Sequence, residues 1–151
     1  MKRMLIGALV ALLCGLSVPA FADQLMMVRS TQTFPEAMLR LQEEIKARGY
    51  SLSRVQRVDV GLTGMGYQTD LYRVVFFGKP EEIRRLSREY PQMIPYLPLK
   101  IAVFAEDGDT LLVATRPSEF ARLFDDPELS GIFARWEADM DALFDAMRVA
   151  E

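Results

Sequence analysis

Histidine is absent from all 151 residues, and the single cysteine, Cys14, lies in a stretch expected to be removed. Without imidazole there is no His-based catalytic triad. Without imidazole or a mature thiol there is no zinc or haem ligation by His or Cys. The same lack of thiol removes the Cys nucleophile and the disulfide, so stability has to come from packing. No phosphate-binding glycine loop followed by Lys and Ser or Thr, no nucleophile motif, no internal repeat and no low-complexity tract occurs. No cofactor and no resident metal are implied.

What is present begins with an export signal. Lys2 and Arg3 precede an uncharged run over residues 4–18, Pro19 breaks it, and Ala20 and Ala22 place small side chains at the −3 and −1 positions. Cleavage between Ala22 and Asp23 is expected, giving a periplasmic or secreted chain with no membrane attachment afterwards. Leu13 before Cys14 does not suit lipoprotein processing. The mature chain is 151 less 22, or 129 residues, a length for one domain. All 21 acidic residues stay while the 18 basic ones lose Lys2 and Arg3, so the net charge moves from −3 to −5. Binding nucleic acid by counterion release needs a basic surface, so no nucleic-acid partner is expected.

The residue pattern predicts a mixed α+β domain over residues 23–126. Residues 25–29 read as a strand. Thr33, Pro35 and Glu36 form a helix start, in which Glu36 reaches back to the Thr33 amide; Phe34, Met38, Leu41 and Ile45 follow at helical spacing, and Gly49 ends the helix. Residues 50–60 alternate imperfectly, predicting a strand with a bulge near Val55. Residues 71–77 (LYRVVFF) read as a strand with Leu71, Arg73, Val75 and Phe77 on one face. A second helix spans residues 81–90, and Pro91, Pro95 and Pro98 hold an irregular segment. Two strands flank Asp107-Gly108, a hairpin signal that leaves the turn type open. After a short helical stretch near Phe120, residues 127–151 form an acidic amphipathic helix. Its stripe runs through Leu129, Ile132, Phe133, Trp136, Met140, Leu143, Phe144 and Met147. The order β-α-β-β-α-β-β-α implies helices on one face of a sheet.

Four of these pieces resemble, in order and spacing, an uncharacterised family, the domain of unknown function 302. They are residues 46–50 (KARGY), 74–80 (VVFFGKP), 97–104 (LPLKIAVF) and the hairpin end Thr115-Arg116-Pro117. The likeness covers residues 34–117. It implies a compact α+β domain, often met as a dimer, and no settled reaction, so no functional residue is carried over.

Candidate sites follow from the residues alone. Gly61, Gly64 and Gly66 form the most glycine-dense stretch, read as a flexible connection or a ligand-contacting loop. Arg73 sits mid-strand and needs a partner, for which Asp59 and Asp70 are candidates. Together with Lys100 it is read as a structural pair or as an anion pocket beneath the glycine loop. Asp59 and Asp70 with Arg73 and Lys100 define the alternative, a carboxylate-dependent enzyme. Met26, Met27, Met65 and Met93 are the methionines left for a copper site. Asp107 and Asp109 are too few oxygens for calcium. Trp136, Phe133, Met140 and Phe144 either cap the domain or form a dimer interface. The expectation is a non-catalytic module that binds an unidentified small molecule or protein and pairs as a homodimer.

Overall fold

The computed structural model describes residues 24–148; the expected export signal and its expected cleavage point at Ala22 and Asp23 lie outside them. The elements are β1 (Leu25–Ser30), α1 (Phe34–Ala47), β2 (Ser51–Arg57), α2 (Val58–Gly64), β3 (Tyr72–Gly78), α3 (Pro80–Glu89), β4 (Leu99–Glu106), β5 (Asp109–Thr115) and α4 (Pro127–Met147). Two 3-10 segments, Pro91–Tyr96 and Pro117–Arg122, join α3 to β4 and β5 to α4. All five strands pair antiparallel in the order β1-β5-β4-β3-β2.

Local chemistry sets most boundaries. The Glu36 carboxylate accepts from the Thr33 amide at 3.1 Å and its hydroxyl at 2.6 Å, which starts α1. Gly49 closes that helix at φ +76°, a left-handed conformation that glycine adopts without strain. Glu106 pairs with Asp109, so the β4–β5 turn has two central residues, Asp107 and Gly108, both at positive φ. This twist matches that of the flanking strands. Asp126 caps α4 by accepting from the amides of Glu128 and Leu129.

Two features differ from the expected pattern. The register slips between Leu52 and Arg54, so the bulge lies at Ser53 and not at Val55. The chain also coils after Arg57, and Val58–Gly64 is a short helix where strand and loop were expected. The physical reason lies in the register: Arg57 stands directly opposite Arg73, a like-charge pair that destabilises a sheet. Coiling brings the Asp59 carboxylate onto the Arg73 guanidinium.

The sheet's inner face carries Met26, Val28, Val75, Phe77, Leu99, Ile101, Val103, Leu112 and Ala114, all buried. Against it lie Ala37, Leu41 and Ile45 of α1 and the whole stripe of α4 from Leu129 to Met147. Trp136, Phe133, Met140 and Phe144 are between 1% and 3% exposed. These four belong to the domain's own core and offer no surface to a partner, so of the two readings the structure carries the one in which the stripe caps the domain and not the interface. Helix α4 is also pinned along its polar flank: Arg48 donates to the Ala142 carbonyl, Tyr50 to Asp139, and Arg116 and the Ser118 amide to Glu137.

Candidate functional site

Arg73 projects from the inner face of β3 and makes three contacts. It pairs with Asp59, donates to the Tyr72 carbonyl at 3.0 Å, and lies 5.7 Å from the centre of the Phe34 ring. The hydrogen bond from Arg73 holds the Asp59 carboxyl below its ordinary value. Lys100 stands opposite Phe76, one residue out of phase with the Arg73–Val103 pair. It therefore lies on the other face of the sheet. Asp70 is exposed in the connection before β3. The four residues do not converge, because successive side chains on neighbouring strands alternate faces. Gly61 lies within α2 and Gly64 ends it, and a Cβ added at Gly61, Gly64 or Gly66 would meet no heavy atom within 4 Å. Of the methionines, Met26 and Met93 are buried while Met27 and Met65 are exposed, so these four do not form a common ligand set. Among the described residues, no group of three or more His, Cys, Asp or Glu is placed to hold a metal ion.

The Asp59–Arg73 pair has a testable pH signature. The folded state favours ionised Asp59, so its contribution is complete above the unfolded carboxylate value near ~3.9 and is lost as pH falls through the lowered folded value. Urea midpoints of the wild type are expected to drop below about pH 4 more steeply than those of Asp59→Asn. Parallel curves would remove the pair from the stability balance.

A second polar cluster sits where α1, β3, α3 and α4 meet. Glu82 pairs with Arg135 and accepts from the Trp136 indole N–H at 2.9 Å. Tyr50 donates to Asp139, stacks edge-on against Phe77 and lies beneath the Lys79 ammonium, 4.9 Å from the ring centre. Burial, helped by the Asp139 carboxylate, raises the Tyr50 phenol well above its usual range. Glu82, Trp136 and Tyr50 each meet a partner from another element, while the buried Arg135 Nη1 makes no hydrogen bond among the described residues, and the cluster acts as a clamp on α4.

Among the described residues, two open surfaces bear on function. The first is the sheet's outer face. Its cross-strand rows run Arg29, Leu111, Phe104, Tyr72, then Met27, Val113, Ala102, Val74, Gln56. Leu25 and Phe76 flank the second row. Tyr72 and Phe104 pack edge to face at 6.0 Å. Met27 is 52% exposed and Leu25 41%. A one-sided antiparallel sheet alternates apolar and polar residues, whereas β3, β4 and β5 are nearly continuous apolar runs, as in strands covered on both faces. That signal was legible in LYRVVFF and KIAVFA, though it was not drawn from them.

The second surface is a cleft of about 500 Å³ at the end of the sheet where β4 begins and β5 ends. Tyr96, Leu99, Phe120, Leu123 and Met140 line it, with Lys100, Thr115, Glu119 and Arg122 as polar members. Tyr96 and Phe120 contact each other at 5.4 Å, and the ring chain continues through Phe133 to Trp136. These lining residues come from five separate segments, so spacing within the sequence could not bring them together. No described helix is long and apolar enough to cross a membrane.

Comparison with known proteins adds a family. The model of the domain of unknown function DUF302 matches residues 26–147. A crystal structure of an uncharacterized conserved DUF302 protein from Bacillus stearothermophilus is similar, with a TM-score of 0.74 and 25% sequence identity. The match covers 82% of this chain and 98% of that one. No curated protein matches.

Proposed function

The chain belongs to the DUF302 family, and from that premise we propose that the mature protein is an exported, non-catalytic binding module that works as a homodimer joined through the open face of its sheet. The observation that carries the pairing is the apolar outer face. Its central residues, Met27, Val113, Ala102 and Val74, are uncharged, while Arg29 and Glu106 pair with each other at one end and Lys100 and Arg54 stand at the other. An apolar centre with a charged rim is the anatomy of a homodimer interface.

Size agrees with a second copy as the occupant. Five strands spaced ~4.8 Å and six residues rising ~3.3 Å each give a flat footprint of roughly 24 by 20 Å. Two such footprints together reach about 1,000 Å², the lower bound for a stable interface, before side-chain relief is added. Two sheets of identical twist also pack face to face at roughly −30° without reshaping either one.

Export rests on residues 1–22, and the non-catalytic role on the separation of Arg73 from Lys100 by the thickness of the sheet. One measurement addresses both location and pairing. Native mass spectrometry of the protein recovered after expression of the full chain in a bacterial host is expected to give twice the mass of a chain beginning at Asp23. A monomer at every concentration removes the pairing, and an intact residue 1 removes the export.

A further inference from the structure

We infer that the cleft at the end of the sheet binds an apolar monocarboxylate, with Lys100 meeting the carboxylate and Tyr96, Phe120 and Leu123 holding the apolar body. A volume of about 500 Å³ lies within the ~300–1,000 Å³ span of small-molecule sites, and mostly apolar walls with a few polar groups are their usual make-up.

Charge selects the ligand's sign. Three ionised side chains line the cleft. Arg122 pairs with Glu119 at 3.1 Å, and this pair is neutral overall. Lys100 is exposed and makes no hydrogen bond or ion pair among the described residues, so one positive charge is left over. A single negative charge on the ligand completes the balance. A dianion would leave a charge unpaired against the Glu119 side. An ammonium would meet Lys100 with like sign.

The apolar part is selected by shape. Leu123 is 58% exposed, although it is a large apolar side chain, and it stands on the 3-10 segment's end facing the cleft. Tyr96 and Phe120 supply an aromatic wall, and Met140 and Leu99 form the floor from the core. Thr115 and Gln24 add hydroxyl and amide groups at the mouth. An alkyl or aryl body on one carboxylate fits these walls. The apolar walls lie off the open sheet face, and only Lys100 and Thr115 of the lining also stand on that face.

Isothermal titration calorimetry with octanoate, 2-naphthoate and octan-1-ol tests this. At least one of the two acids is expected to bind at least tenfold more tightly than the alcohol. Lys100→Gln is expected to weaken that acid about tenfold and the alcohol by less than twofold, which corresponds to ~1.4 kcal/mol for the head group. Leu123→Ala, at an exposed position that leaves folding intact, weakens the acid and the alcohol alike. Leu111→Glu, on the open sheet face but at its far end from Lys100, leaves acid affinity unchanged. Absence of binding by both acids, equal affinity for acid and alcohol, or loss of binding in Leu111→Glu would each overturn the inference. The last outcome would place the acid on the sheet face.

Discussion

Replacing Trp136 with alanine is expected to lower folding stability by about 3–5 kcal/mol, the largest loss of any single truncation in this chain. The side chain is 2% exposed and sits in α4 between the Phe133 ring, 5.8 Å away, and the Glu82 carboxylate. Two effects add. Truncation leaves a cavity in a core that relaxes only partly, and Glu82 loses the indole donor while remaining largely buried. Because typical domains are stable by only ~5–15 kcal/mol, the variant should unfold near the end of the native range. Trp136 is the only tryptophan, so urea unfolding has to be followed by far-ultraviolet circular dichroism and not by intrinsic fluorescence. Trp136→Phe separates the two effects: it keeps most of the volume but not the N–H, and a loss of about 1–2 kcal/mol is expected. A loss below 1 kcal/mol for alanine, by rough comparison with measured core truncations, would mean that α4 does not close the core.

If the chain pairs as proposed, placing a carboxylate in the middle of the outer sheet face should abolish that pairing while sparing the fold. Val113 is half-buried, lies between Met27 and Ala102, and points away from the core formed by Leu112 and Ala114. In the free chain a glutamate there reaches water. In a sheet-to-sheet dimer it would be desolvated without a partner, a penalty of several kcal/mol for each copy. The dimer dissociation constant is therefore expected to rise at least ~100-fold, equivalent to ~2.8 kcal/mol. Sedimentation velocity reads the change, and an unaltered circular dichroism spectrum shows that the chain still folds. A Val113→Glu variant that stays dimeric would move the interface off this face.

How much of this could be read from the residues depends on the range of the interaction. Thr33 with Glu36, Gly49, and Asp107-Gly108 are signals spanning a few residues, and the elements they delimit lie where they were expected. The stripe of α4 was equally plain, because eight apolar residues recur with the helical period. Its destination was not, since the same stripe suits a core or an interface. Helix α2 was missed because Val58, Val60 and Leu62 alternate like a strand, and the charge that coils the chain, Arg73, is 14 residues from Asp59. The Lys100–Arg73 grouping failed on register, which no local pattern specifies.

The sequence by itself determined the absent chemistries, the export expectation, the order of all elements but α2, and the family, all of which rest on residue identity or short-range periodicity. Tertiary structure alone decided that Arg73 is spent on Asp59, that Trp136 faces inward, that one sheet face is left apolar and open, and that Lys100 comes to Tyr96 and Phe120. These outcomes depend on pairing between segments tens of residues apart. There a shift of one residue in register exchanges the two faces of a strand.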